Sequence, residues 1–188
     1  NVTESNLPEA RKTESDYFVI QTPGEYKYYK MTVVGNRDMG EATGRSTMQF
    51  SELNLYEIEK PIQYTDLHNY IDQNNIGGDA GVSIKGTQDP NKLFDNDTTT
   101  MWCVKKGTNE PTGYSKTVKW GMTQAVTLNA YTLTTSDDEH PVRDPWTWTV
   151  YGTNDEATFN GTSETEEGWV VISNITEGNL PEDRQTES

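Results

Sequence analysis

A short polar segment near the middle of the chain carries the side chains best suited to binding chemistry. Asp95, Asp97 and Thr100 place side-chain oxygens at positions i, i+2 and i+5. Calcium takes about six to eight oxygen ligands, so this density of oxygen-bearing side chains favours a calcium ion over a transition metal. The alternative is an Asx turn, in which the carboxylates only accept hydrogen bonds from nearby backbone N–H groups.

Patterns that indicate catalysis are sparse. His68 and His140 are the only histidines in the sequence, and they form neither a metal-binding pair nor part of a Ser/His/Asp order. An acidic run at residues 137–139 has the side-chain types of a glycosidase pair, but such a run on a loop is more often a solvated surface. We therefore expect a protein that is not an enzyme.

The charge balance is strongly acidic. Thirty acidic residues against fifteen basic ones give a net charge of −15, which repels nucleic-acid phosphates and anionic lipids and favours cations as partners. No run of about eighteen apolar residues is present, so the sequence predicts no membrane insertion. Cys103 is the only cysteine and is expected to be a small buried residue. Four sequons are compatible with an extracellular or cell-surface location: Asn1, Asn96, Asn160 and Asn174.

The first and last fifteen residues repeat each other. Residues 1–15 return as residues 174–188, with eleven of the fifteen positions identical and in register. The offset of 173 residues is the length of a domain, so the sequence predicts one period of a tandem array. We expect neighbouring repeats of the same protein to be partners. We also expect the two copies to be equivalent pieces of successive domains, which would compete for one place in a single closed sandwich.

Short segments rich in β-branched and aromatic residues alternate with turns rich in Gly, Asn and Asp. This pattern predicts an all-β fold, an antiparallel β-sandwich. In one of the segments the alternation breaks after Phe50, which indicates a bulge at residues 51–52. The predicted strands are residues 17–20, 26–34, 47–56, 117–120, 125–134, 146–152 and 168–173.

Residues 59–78 have a different pattern. Thr65-Asp66 can cap a short helix in which Leu67, Tyr70 and Ile71 have the spacing i, i+3 and i+4. We interpret this helix as a connector between two domains. The sequence then divides into residues 1–58, the closing half of one sandwich repeat, residues 59–78, the inter-domain connector, and residues 79–188, the opening half of the next repeat.

Several stretches carry a family resemblance. Residues 91–102, NKLFDNDTTTMW, resemble the A-x-D-G-N/D-x-x-T-x-W loop of discoidin-type (coagulation factor V/VIII type C) domains and of related galactose-binding-like carbohydrate-binding modules. Residues 143–155, RDPWTWTVYGTND, are similar to the RDP-x-x-W-x-x-x-GSND stretch of the same superfamily, and residues 28–33 and 48–55 are similar to its closing strands. The resemblance covers nearly the whole period in rotated order, and it implies a jelly-roll sandwich.

The resemblance also implies how a calcium site would be completed. In the galactose-binding-like fold, carbonyl oxygens from the positions of Lys92 and Ser51, together with the carboxylate of Glu52, would join the three loop residues around one structural Ca2+ ion. Asn96 stands where the family has glycine, and asparagine tolerates a left-handed backbone nearly as well.

A glycan site is implied on the same grounds. In related carbohydrate-binding modules the ligand lies on loops at one end of the sandwich, because sugars offer planar apolar faces flanked by hydroxyls. The matching residues are His140, Arg143 and Trp146. Each has a structural alternative: Arg143, for example, stands next to Asp144 and could form an ion pair with it. Trp148 is expected in the core.

These features together predict a non-catalytic extracellular repeat module, stabilised by calcium, that binds glycans or cell-surface carbohydrate or mediates adhesion. The alternative is a structural subunit of an extracellular filament or stalk, assembled by complementation between successive repeats. We favour completion by a neighbour. Pairing of residues 26–34 and 47–56 with residues 125–134 or 146–152 of the same chain would instead make a closed, circularly permuted sandwich.

Overall fold

Strands built from β-branched and aromatic residues assemble into two antiparallel sheets that share one core. The computed structural model describes residues 12–37, 47–60, 63–81, 88–105, 115–136, 141–162 and 166–176. Within these residues there is a five-stranded sheet, a four-stranded sheet and a two-stranded ribbon, and every strand pair is antiparallel. The predicted antiparallel β-sandwich is therefore confirmed.

The strands are β1 (Phe18–Val19), β2 (Glu25–Asn36), β3 (Thr47–Phe50), β4 (Glu52–Lys60), β5 (Gln63–Asp66), β6 (Ile71–Gly78), β7 (Trp102–Lys105), β8 (Lys116–Thr127), β9 (Ala130–Thr134), β10 (Pro145–Thr153) and β11 (Val170–Ile175). The five-stranded sheet has the order β11-β10-β2-β8-β6, the four-stranded sheet β1-β9-β4-β5, and the ribbon β3-β7. The described helices are three 3-10 helices (His68–Tyr70, Pro90–Phe94 and Pro141–Arg143) and α1 (Glu156–Asn160). No helix in the described ranges is long and apolar enough to cross a membrane.

The core between the sheets is rich in aromatic side chains. Three of its polar side chains bond to each other across the core: the Trp148 indole N–H donates to the Tyr131 hydroxyl at 3.0 Å, and that hydroxyl shares a hydrogen bond of 2.9 Å with Ser173. Because buried polar groups need partners, this chain of bonds fixes β10 and β11 against β9 of the other sheet. The expectations that Trp148 and Cys103 are buried are confirmed.

The two halves of the sequence pair with each other inside one chain. Strand β2 lies between β8 and β10, with Met31 opposite both Val118 and Val150. Strand β4 pairs with β9 in the other sheet. These pairings correct the expectation that a neighbouring repeat completes the sandwich, because β2 and β4 each have strands of their own chain on both sides and their apolar residues are buried in the shared core. The described parts of residues 1–58 and 79–188 thus belong to one closed sandwich.

The connector predicted at residues 59–78 is also corrected. Strand β5 pairs back on β4, whereas β6 pairs with β8 in the other sheet. The helical part is only the turn His68–Tyr70, which follows the fully buried Leu67. Asp66 accepts the backbone N–H of His68 at 2.8 Å. The residue expected to cap a helix therefore holds a sharp turn between strands of different sheets.

The described parts of the two repeated copies occupy different places. Residues 12–15 run along the end of β9, where the Lys12 N–H donates to the Thr135 carbonyl oxygen at 2.9 Å. At the other copy, residues 174–176 include the end of β11, and Ile175 is fully buried. These two segments are not counterparts of each other in the repeat, so the predicted competition of the two copies for a single place stays a prediction.

Candidate calcium and glycan sites

The 95–100 loop follows a 3-10 helix that is anchored in the core. Leu93 and Phe94, the last two residues of that helix, are buried, and Phe94 packs against Trp120 with 5.5 Å between ring centroids. The loop then turns tightly, since the Thr100 N–H donates to the carbonyl oxygen of Asp97 at 2.9 Å. The buried helix therefore fixes where the loop begins.

Glu52 is the buried carboxyl group of the site. It is the first residue of β4, it is only 3% exposed, and its Oε1 accepts the backbone N–H of Asp97 at 3.0 Å. Burial, and then the neighbouring carboxylate of Asp95, raise the pKa of the Glu52 carboxyl to about 8, because both disfavour its charged form. A cation placed between the two carboxyl groups would lower this pKa, because it would favour the charged form.

Asp95 is the second carboxylate at this point. Its two oxygens accept hydrogen bonds from the Thr100 hydroxyl at 3.1 and 2.9 Å, and Oδ1 also accepts the Asp97 N–H at 3.1 Å. The Lys92 ammonium lies 3.2 Å from Asp95 Oδ2 and forms an ion pair with it. The Lys92 side chain therefore already places a positive charge beside this carboxylate. The resemblance implied only that the Lys92 carbonyl oxygen would bind the ion.

The Asp97 carboxylate forms a local turn in this structure, and its role as a calcium ligand stays a prediction. Its Oδ1 accepts the N–H of Thr99 at 2.9 Å and the hydroxyl of the same residue at 2.5 Å. Hydrogen bonds from Thr99 lower the pKa of the Asp97 carboxyl, with smaller contributions from the positive charges of Lys92 and Lys12. This local Asx turn was the alternative to a metal ligand. Asn96 adopts the left-handed conformation expected for a glycine position, with φ of 56°.

The structure thus brings together part of the predicted calcium set. Glu52, Asp95 and Thr100 converge. Ser51 is fully buried beside them, where its N–H donates to the Thr134 carbonyl oxygen at 2.7 Å. The Asp97 side chain is committed to its own turn. In the described ranges, no three His, Cys, Asp or Glu side chains gather into a group that could hold a metal.

Two of the three predicted glycan residues fall in the described part of the chain, and His140 lies outside it. Arg143 and Trp146 are half-buried, and Arg143 Nη1 lies 3.5 Å from the side-chain oxygen of Gln49, to which it donates. The adjacent Asp144 is fully buried, and its carboxylate lies 3.6 Å from Nε of Arg37. Arg143 and Trp146, three positions apart, therefore each keep part of their surface exposed.

An aromatic surface that the sequence did not reveal lies on the four-stranded sheet. The rings of Tyr17 and Tyr64 are stacked with 4.1 Å between centroids, and both side chains are exposed. Tyr56 meets the Tyr17 ring edge-on at 5.0 Å and donates its hydroxyl hydrogen bond to Glu14. These tyrosines come from β4, β5 and the segment before β1, so only the strand pairing could have placed them together.

Three of the four predicted glycosylation sites fall in the described part of the chain. Asn96, Asn160 and Asn174 are exposed, whereas Asn1 lies outside the described residues.

Comparison with known proteins gives no match: no protein-family model matches the chain, and neither the curated proteins nor the solved structures include a significant match to it. The discoidin-type resemblance therefore remains a reading of the motifs alone.

Proposed function

We propose that this chain is a non-catalytic module of an extracellular tandem-repeat protein, stabilised by one structural calcium ion, which binds glycans or mediates adhesion. The proposal combines the motif resemblance with the antiparallel sandwich that carries both motifs. A jelly-roll of the galactose-binding-like kind is part of this proposal.

The observation that carries the calcium proposal is the pairing of two carboxyl groups, those of Glu52 and Asp95. Two carboxyl groups side by side, one of them almost fully buried, are unfavourable when both are charged. A divalent cation is the partner that would let both ionise, and hard oxygen ligands suit calcium. The Thr100 hydroxyl oxygen lies at the same point, and Lys92 would give up its ion pair to the incoming ion.

Such an ion would act on structure rather than on chemistry. It would tie the start of β4 to the 95–100 loop, two segments that are far apart in sequence and that meet here through hydrogen bonds such as that from the Asp97 N–H to Glu52. Any ion that binds only the folded state raises its stability. Titration calorimetry of the chain with Ca2+, with Mg2+ as the control ion, tests the proposal directly. Absence of calcium-specific heat and of any rise in Tm would refute it.

The glycan part of the proposal rests on Arg143 and Trp146. Trp146 is partly exposed, and an indole can stack on the apolar side of a sugar ring, while a guanidinium donates to hydroxyls in a fixed geometry. Screening of the chain on a glycan array, followed by Trp146→Ala on any hit, tests this part independently of calcium. Glycan retention that is unchanged in the variant would exclude this surface.

A further inference from the structure

The places taken by the two repeated copies carry an inference about how successive modules are joined. The repeated tract is residues 1–15 in its first copy and residues 174–188 in its second. The structure describes the last four residues of the first copy, 12–15, and the first three residues of the second copy, 174–176. Residues 174–176 belong to the edge of the five-stranded sheet and residues 12–15 to the edge of the four-stranded sheet. The described residues of the tract thus place its beginning at one sheet edge and its end at the other.

Both contributions are firmly built into the fold. Ile175 has no exposed surface and continues the pairing of β11 with β10. Glu14 bridges to Thr134, and its Oε1 accepts hydrogen bonds from Asn54 at 3.0 Å, from Tyr56 at 3.0 Å and from Thr132. The counterparts of these two residues are Val2 and Glu187, so the buried position keeps a β-branched residue and the bridging carboxylate is identical.

The two contributions also lie at the same end of the sandwich. The Lys12 segment meets the chain just after β9, and β11 ends beside the start of β10. Both of these places are next to β3. The end of β9 is next to it because the N–H of Ser51, the residue after β3, donates to the Thr134 carbonyl oxygen. The start of β10 is next to it because Asn36, which lies opposite Pro145, donates its side-chain N–H to the Thr47 carbonyl oxygen. The Glu52 site is at this end as well, because Glu52 pairs with Thr134.

We propose that each copy of the tract joins two successive modules, its first residues completing β11 of one module and its last residues forming the sheet edge of the next. Eight residues separate Thr176 from Gln185, the counterpart of Lys12, and nine Cα–Cα steps reach at most about 30 Å. Successive modules are then joined at the same end of each sandwich, with at most this distance between the two points of attachment. A many-copy chain displays one kind of surface repeatedly, which favours multivalent binding to a repetitive partner.

Four alanine variants of the 188-residue chain test the junction without reference to calcium or glycan. The repeat supplies the matched controls: Ile175→Ala is compared with Val2→Ala, and Glu14→Ala with Glu187→Ala. In thermal unfolding with chelator present, I175A and E14A should each lower Tm by several degrees, and V2A and E187A should leave it within error. A fall in Tm for V2A or E187A equal to that of its counterpart, or no fall for I175A and E14A, would overturn the proposal.

A chain of two periods extends the test to a real junction. There the middle copy of the tract is residues 174–188, and the proposal requires both I175A and E187A to destabilise one module each, while V2A stays silent. Sensitivity at only one of these two positions would contradict a shared tract. Loss of calcium binding would leave all of these outcomes unchanged, so failure of this inference and failure of the proposed function are separable.

Discussion

The Glu52 carboxyl offers a test in which pH and calcium act in opposite directions. Its pKa in the folded chain is about 8 against an ordinary value of 4.5. A carboxyl with a raised folded-state pKa contributes its full stability below pH 4.5 and loses it as the pH rises through about 8. Each pH unit in this window corresponds to ~1.4 kcal/mol, so ionising Glu52 without a cation costs up to ~5 kcal/mol. Outward rotation of Asp95 would reduce this cost, because it would remove the cause of the shift that ranks after burial.

The perturbation is Glu52→Gln, which keeps the shape and the acceptor for the Asp97 N–H but cannot ionise. In chelator at pH 5 the two proteins should have similar stability. At pH 8.5 the variant should be more stable by ~2 to 5 kcal/mol, a difference on the order of 10 °C in Tm for a chain of this size. Saturating calcium should add ~3 kcal/mol to the original protein at about 100 times its dissociation constant, and little to the variant.

The assay is thermal and urea unfolding from pH 4.5 to 8.5, in chelator and in calcium. Glu57→Gln is the matched control, because it removes the same charge from the same strand at a half-buried position. If the original protein does not lose stability relative to E52Q between pH 5 and 8.5 in chelator, the burial argument fails. If E52Q gains as much from calcium as the original protein, the ion does not bind at this carboxylate.

Three further predictions address other parts of the site and core. Trp148→Ala should cost ~3 to 5 kcal/mol in urea unfolding because the ring is fully buried, whereas Trp146→Ala should cost much less; equal losses would mean that Trp146 is core and not a binding surface. Asp97→Asn should weaken calcium binding only slightly in calorimetry because its carboxylate serves the turn with Thr99, and Lys92→Met should leave that affinity equal or higher; a large loss in either would assign a direct role. Cys103 is 5% exposed and should react with a thiol reagent only at the unfolding rate; rapid labelling at native conditions would show an open path to it.

The sequence predicted the composition of the strands better than their partners. Strands β2 and β10 were located to within a few residues, because runs of aromatic and β-branched residues bounded by Gly and Asn are strong local signals. The break after Phe50 was also found, although it separates two strands, β3 and β4, rather than forming a bulge within one. Pairing depends on contacts between residues far apart in sequence, such as Met31 with Val118 and Val150, about which local patterns carry no information.

The departure from prediction in residues 59–78 and the turn at Asp97 have physical causes. The i, i+3, i+4 spacing of Leu67, Tyr70 and Ile71 is satisfied by one 3-10 turn between two strands, where Leu67 reaches the core. Gly78 lies in β6 with φ of 136°, against the backbone of Thr117. At Asp97 the residue types were compatible with both a ligand and an Asx turn, and only the side-chain direction distinguishes them.

The central position of β2 has a consequence for how an array would fold. Strand β2 ends at residue 36, and its partner β10 begins only at residue 145 of the same chain. In a tandem array with a period of 173 residues, the β10 of the preceding module ends roughly 45 residues upstream of β2, and nearby segments meet first during synthesis. The wrong partner is therefore the nearer one, and correct folding requires each module to close before the next β2 emerges. A two-period chain refolded from denaturant should give a lower native yield than the 188-residue chain at equal module concentration, and equal yields would show that exchange between modules does not compete.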